Sequence, residues 1–305
     1  QRLEALDIEL PKPILLPVIL LEDAQNMPVA TTDSTPIIRR LEEEFSDRGT
    51  IPDNPALAFI NYLLEDFADE WLTKYMFHFR WHFKEDADKA GTILPLVEFE
   101  KPLPDKEHKQ IKQYITQRQT ERLWVVGSSN ETAELIDQSF KRFISMLNKH
   151  LIESPFLLGD RPSSADFAFY GQLSQLVKFD PTPRKICHDL APRVVAWAEV
   201  IDDQSGLNLD SKRWTSLDDS PETLKNIFNE FGLMYAPVLL ENAKAVNEQK
   251  TDWKTTVNGA EWKQRTFNYQ AKCLNWIREE YAMLAEQEKD CVKTFLDGTN
   301  CEQIF

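Results

Sequence analysis

Asp33 and Ser34 place a carboxylate beside a hydroxyl at the head of a short predicted helix, in the segment ATTDSTPIIRRLEEEF. Backbone N–H groups at a helix start carry partial positive charge and favour an anion, whereas a nearby carboxylate favours an ammonium group. The pair therefore suits a ligand that carries both charges. A plainer interpretation, in which Asp33 or Ser34 only caps the helix, is also open at this point.

Ser163 and Asp166, in SPFLLGDRPSSADFAFYGQL, have the spacing of a capping box at a helix start. In such a box the hydroxyl accepts a hydrogen bond from the amide three residues later, and the acid reaches back to the amide of the serine. We therefore predict a role in folding for this pair and no role in catalysis.

His78 and His82 share one face of a predicted helix, with the spacing that metal-binding histidine pairs use. The sequence supplies no evident third ligand, and the aromatic neighbours favour packing. The four cysteines show no CxxC spacing, and Cys273 falls on an apolar helical stripe. We predict no metal site and no redox pair.

The elements that must position these side chains belong to a globular chain of 305 residues, with 42% hydrophobic and 28% charged residues. The net charge of −15 opposes a nucleic-acid-binding surface. The longest apolar run, residues 14–21, is too short for a membrane span, and the opening residues lack a leader pattern. We expect a cytoplasmic protein that binds neither nucleic acid nor membrane.

The N-terminal part reads as a helix end, two strands and a helix, within residues 1–45. The rest is mainly helical, beginning with one long buried helix over residues 54–83. In KTTVNGAEWKQR, Asn258 and Gly259 supply the positive φ angles of a tight hairpin turn. Further helices are predicted at residues 105–124, 130–152, 163–178, 192–203, 221–249 and 268–297.

Three motifs, GDRPSSAD, LLPVILLED and TDSTPIIRRLEE, together with the order of elements, resemble the glutathione transferases over roughly residues 1–203. The resemblance implies a mainly α protein. It implies an incomplete thioredoxin-like domain at 1–46, an all-α C-terminal domain at 53–204, and a helical extension at 205–305 with a β-hairpin around 251–266.

The resemblance also implies a glutathione site. Leu16 would pair with the cysteinyl backbone of glutathione, and Pro17 would follow a cis peptide bond. Ser34 would hold the γ-glutamyl carboxylate, and Asp33 would face the ammonium group. The pocket for a hydrophobic electrophile would be lined by Tyr75, Phe79 and Trp81, although core packing is an alternative for each of these three side chains.

In this family the catalytic Ser, Cys or Tyr lies at the first strand-to-helix turn, which we expect before Gln1. The catalytic residue is therefore unassigned. Two functions are open: transfer of glutathione, as a co-substrate, to a small hydrophobic electrophile, or a non-catalytic binding or assembly module. A homodimer is expected from the resemblance.

Overall fold

The computed structural model describes residues 8–9, 17–45, 47–98 and 102–305. The chain divides into two compact units, Gln1–Ile51 and Pro52–Phe305. The predicted helix end in residues 1–9 lies almost entirely outside the described residues, as does Leu16.

In the first unit, β1 (Val18–Glu22) and β2 (Pro28–Thr32) form an antiparallel hairpin, followed by α1 (Ser34–Glu44). The β-branched and apolar residues of VILLE favour the strand conformation. Its turn is held by Asp23, whose carboxylate accepts from the amides of Gln25 and Met27 at 2.8 and 2.9 Å. These three elements agree with the strands and helix that the sequence predicts.

Within residues 52–98 and 102–305, the second unit consists of helices, connecting loops and a β-hairpin formed by β3 (Asp252–Val257) and β4 (Ala260–Arg265). Its α-helices run in chain order as follows: α2 (Pro55–Phe67), α3 (Thr73–His82), α4 (Lys84–Glu98), α5 (Asp105–Thr120), α6 (Ala133–Glu153), α7 (Ser164–Ser174), α8 (Pro181–Leu190), α9 (Pro192–Val200), α10 (Glu222–Glu230), α11 (Ala236–Asn247), α12 (Asn268–Met283) and α13 (Glu286–Leu296).

Three π-helical segments interrupt or extend these helices: Ala68–Leu72, Gln175–Phe179 and Phe231–Tyr235. The first joins α2 to α3, so the predicted long helix over residues 54–83 is present. The last joins α10 to α11. A π-helical turn contains about one residue more than an α-helical turn, and such segments often occur at functional sites.

The core of this unit is aromatic. The Phe67 ring lies 5.2 Å from the Phe231 ring, and the Trp71 ring lies 5.6 Å from that of Trp262 and 5.8 Å from that of Tyr235. Because these partners come from the predicted extension, residues 205–305 share one core with residues 53–204. The assignment of these ranges as separate domains stays a prediction.

The mainly α fold class is confirmed, and the hairpin turn at Asn258 and Gly259 has the expected positive φ angles. Two helices, α4 and α8, were not predicted from the sequence. The predicted helix over 268–297 is divided because Leu284 takes an extended conformation with ψ of 143°.

Candidate functional site

The head of α1 has an unusual backbone conformation. Asp33 lies between β2 and the first residue of α1 with φ of 79° and ψ of 130°. Positive φ is uncommon for a residue with a side chain, and such outliers cost about 1–3 kcal/mol and cluster at ligand-binding turns. The half-buried Asp33 is held there by the fold: its carbonyl accepts from the amide of Ile37 at 3.4 Å, and Ile37 is buried.

The first turn of α1 contains no acidic residue. The first amides of a helix lack intrahelical partners, and Pro36 removes one of them because proline has no N–H. The Asp33 side chain makes no capping hydrogen bond to α1 in the described segment 17–45. The turn thus places the first helical residues next to one carboxylate.

The hairpin register brings Pro17 to the same end of the sheet as Asp33. Val18 pairs with Thr32 in the last pair of the ladder, so the residues that follow outward on the two strands are Pro17 and Asp33. Pro17 is exposed. The structure therefore brings three of the four proposed glutathione-binding residues together, whereas Leu16 lies outside the described residues.

Tyr75, Phe79 and Trp81 all lie on α3 and are buried. The Tyr75 hydroxyl accepts from Trp71 Nε1 at 2.8 Å and lies 2.6 Å from Ser139 Oγ, while burial raises the pKa of Tyr75. The Phe79 ring lies 4.9 Å from that of Phe140. All three side chains are in packed surroundings, so their role in a substrate pocket stays a prediction.

Ser163 and Asp166 form a capping box at the start of α7, as predicted. The Asp166 carboxylate accepts from the Ser163 amide at 2.8 Å, from the Ser163 hydroxyl at 2.9 Å and from the Leu157 amide at 2.8 Å. Burial raises the pKa of Asp166 to about 6. The bond to Leu157 was not predicted, and it ties the loop before α7 to the helix start.

A cleft of about 1080 Å³ lies between the β3–β4 hairpin and the segment that precedes α6. The Trp124 side chain is 38% exposed there, and the Arg265 guanidinium lies 4.8 Å from its ring centroid. Other lining residues carry hydroxyl groups or charges of both signs: Ser129, Glu131, Thr132, Asp252, Glu261 and Lys263. The sequence indicated the hairpin but not the surface on which it packs.

A buried polar cluster lies where two π-helical segments meet. The Tyr235 hydroxyl donates to the Asp66 carboxylate at 2.8 Å, and burial raises the pKa of Asp66. Lys74 is 2% exposed, and burial lowers its pKa to about 8. The bond from Tyr235 to Asp66 joins residues from distant parts of the chain, so the sequence could not indicate it.

Within the described ranges, no group of three or more His, Cys, Asp or Glu side chains is arranged to share a metal ion. The helices among the described residues also include none long and apolar enough to cross a membrane.

Residues 130–199 match the family model for the glutathione S-transferase C-terminal domain. The match covers α6, α7, α8 and nearly all of α9, and it includes the Ser163–Asp166 box. No curated protein and no solved structure matches the chain. Over residues 130–199 the chain is therefore similar to the C-terminal domain of glutathione S-transferases.

Proposed function

We propose that this chain binds glutathione at the end of the β1–β2 sheet, where Pro17, Asp33 and Ser34 meet. The observation that carries the proposal is the register of Val18 with Thr32, which puts Pro17 beside the strained turn at Asp33. The family match over residues 130–199 supports glutathione as the ligand class.

The proposed roles follow from charge. Glutathione carries a carboxylate and an ammonium group at its γ-glutamyl end. The Ser34 hydroxyl and the first amides of α1 would hold the carboxylate, and the Asp33 carboxylate would pair with the ammonium. The backbone of Leu16 would pair with the cysteinyl part of the ligand, as the resemblance implies.

We propose transfer of the bound thiol to a small hydrophobic electrophile as the reaction. The attacking species is the thiolate, so the site must lower the pKa of the glutathione thiol. The family resemblance assigns this task to a Ser, Cys or Tyr in the first strand-to-helix turn of the thioredoxin-like domain, and the catalytic residue stays unassigned. A homodimer is a further expectation of the resemblance, and the cytoplasmic location expected from the cysteine pattern stays a prediction.

A non-catalytic binding or assembly module is the second candidate. It is favoured by the cleft beside Trp124, because much of the cleft is built from the β3–β4 hairpin of the predicted extension. A binding module would retain glutathione affinity, partner affinity or both without turnover.

Calorimetry with glutathione tests the proposed site. We expect Asp33→Ala and Ser34→Ala each to weaken binding by about tenfold or more, or about 1.4 kcal/mol, because each removes a charge-assisted contact. Glu43→Ala is the matched control, since Glu43 is an exposed acid on the same helix far from its start.

Equal affinity of the wild type and both variants for glutathione would remove the proposed site. Turnover of an electrophilic test substrate by the same full-length preparation separates the two candidates. Binding without turnover would favour the module, and turnover that falls with Asp33→Ala would favour the transferase.

A further inference from the structure

One edge of β4 takes no part in the pairing of the hairpin. The Thr266 amide donates to the Thr251 carbonyl at 3.0 Å, in the pair that continues the β3–β4 register beyond Asp252 and Arg265. Hydrogen-bonded and non-hydrogen-bonded pairs alternate along an antiparallel ladder. The pair of Asp252 with Arg265 is therefore non-hydrogen-bonded, and so is every second pair from it toward the turn.

Three residues of β4 consequently direct their backbone groups away from β3: Glu261, Lys263 and Arg265. Among the described residues, the backbone N–H and C=O groups of these three have no hydrogen-bond partner. The strand keeps one unbroken register with β3 and contains neither a bulge nor a proline that would block its edge. Another strand can therefore pair with this edge, and the three charged side chains restrict which strand it is.

The cleft beside Trp124 runs along this edge of β4. Lys263, Gln264 and Arg265 all line the cleft. Successive side chains of a strand point to opposite faces, so three consecutive residues border one cleft at the edge of a strand. The volume of about 1080 Å³ is enough for a ligand, since ligand pockets usually measure about 300–1,000 Å³. The opposite wall is formed by Trp124, Ser129, Glu131 and Thr132.

The charge that is left without a partner along this edge is positive. Glu261 forms an ion pair with Lys254 at 3.0 Å, and Lys263 shares the cleft with Glu131 on the opposite wall. The Arg265 guanidinium has no carboxylate within ion-pair distance in the part of the chain that the structure describes. Opposite charges on directly paired strand residues stabilise the pair. An incoming strand with an acidic side chain opposite Arg265 would therefore complement the edge.

We propose that the cleft beside Trp124 binds an extended peptide segment of a partner protein, which adds to β4 as a third strand and places an acidic side chain opposite Arg265. Addition of a peptide to a free sheet edge is a recurrent mode of recognition, in which main-chain hydrogen bonds supply affinity and side chains supply specificity. A second copy of this chain would bring its own wall to the same edge, so a single strand fits the cleft better. The cleft lies in the second compact unit, and the proposal does not rest on glutathione binding.

Phage selection of random octapeptides on the full chain supplies the probe, and fluorescence anisotropy of the best selected peptide measures its affinity. We expect this peptide to carry an acidic residue and to bind Arg265→Ala about tenfold more weakly. N-methylation of one peptide amide at a time is the decisive measurement. Binding should fall about tenfold or more at every second amide and stay unchanged at the amides between them, because only alternate amides of a strand face its neighbour.

Lys263→Pro locates the peptide on the chain. Proline removes the outward N–H of this residue and leaves the hydrogen bonds to β3 in place, so we expect the peptide to bind at least tenfold more weakly. Lys254→Pro is the matched control, because Lys254 is the cross-strand partner of Lys263, lies on β3 and does not line the cleft. This control should bind the peptide as the wild type does.

The N-methylation series uses the wild-type chain, so it decides the question if Lys263→Pro does not fold. Equal effects of N-methylation at all positions would overturn the proposal, as would full binding by folded Lys263→Pro or failure to select any peptide. A dimer in sedimentation that dissociates on Lys263→Pro would assign the edge to a second copy of the chain and would also overturn the proposal.

Discussion

At the scale of the residue, Asp166 shows how one buried acid can organise a helix start. Its carboxylate accepts three hydrogen bonds, two from Ser163 and one from the Leu157 amide. Yet its pKa is raised to about 6, because burial outweighs these bonds. The folded state therefore holds the Asp166 proton more tightly than the unfolded chain does.

This raised pKa predicts a pH dependence of stability. The pKa of Asp166 in the folded protein exceeds its ordinary value. The contribution of Asp166 to the free energy of unfolding therefore grows as the pH falls through 6 toward the pKa of the unfolded chain, and this contribution is lost as the pH rises. We expect the free energy of unfolding of the wild type, relative to Asp166→Asn, to increase by about 2 kcal/mol between about pH 7.5 and pH 4.5.

Urea unfolding of both proteins at the two pH values measures the difference. Asp160→Asn is the control, since Asp160 is an exposed acid nearby. A pH-independent difference for Asp166→Asn would mean that Asp166 titrates normally in the folded protein.

At the scale of the element, the β3–β4 hairpin depends on its two-residue turn. Asn258 and Gly259 have φ angles of 46° and 78°, which match the twist of the strands they connect. The hairpin then places Trp262 against Trp71 and Gln264 against the Val125 carbonyl, to which Gln264 donates at 2.6 Å. The turn thus fixes which residues face the core.

Two glycine substitutions test this view of the hairpin. No atom lies within 4 Å of a Cβ added at Gly259 or at Gly171, so neither change creates a clash. Gly259→Ala should lower the free energy of unfolding by about 1 kcal/mol, because its positive φ disfavours a side chain. Gly171→Ala should raise it by about 0.5–1 kcal/mol, because Gly171 is an exposed residue inside α7.

Thermal and urea unfolding of the two variants give the comparison. If both substitutions destabilised the protein to the same extent, the positive φ of Gly259 would not be what the hairpin requires.

Local signals made these elements predictable, and tertiary contacts explain what was missed. The first turn of α1 and the Asn258–Gly259 turn depend on short-range backbone preferences, which the sequence carries directly. The contact of Trp71 with Trp262 and the bond from Tyr235 to Asp66 join distant parts of the chain. No local pattern specifies such pairs, so the cleft beside Trp124 could not be predicted.

The candidate glutathione-binding residues show the same contrast between local sequence signals and tertiary contacts. Asp33 and Ser34 could be singled out because an acid and a hydroxyl precede an amphipathic helix. Their proximity to Pro17 needed the strand register. For Tyr75, Phe79 and Trp81 the helical periodicity fits a pocket wall or a core equally well, and the structure shows these side chains in packed, buried positions.

At the scale of the whole molecule, the predicted extension is part of the folding unit. Phe228 and Phe231 are fully buried, and the Phe231 ring packs on the Phe67 ring at 5.2 Å. Tyr235 and Trp262 add contacts to Trp71. The free energy of folding of Pro52–Phe305 therefore depends on both of its halves.

Cutting the chain at Gly206 tests this dependence. Gly206 is exposed, and no atom lies within 4 Å of a Cβ added there, so a protease recognition site can be inserted beside it. After cleavage we expect the two fragments to elute together in gel filtration and to separate only in denaturant, because their shared aromatic core stays buried. Separate elution in native buffer would contradict the shared core, and the uncut protein is the reference.

The π-helical segment Phe231–Tyr235 sets the rotational phase of the helix that follows it. If the same five residues wound as an ordinary α-helix, with i→i+4 hydrogen bonds, α11 would turn by about 90° relative to α10. Asn242 on α11 receives hydrogen bonds from Trp253 Nε1 at 3.1 Å and from the Phe267 amide at 2.8 Å. That rotation would carry Asn242 away from both donors, so the position of Asn242 depends on the π-helical hydrogen bonding of this stretch as well as on its residue types.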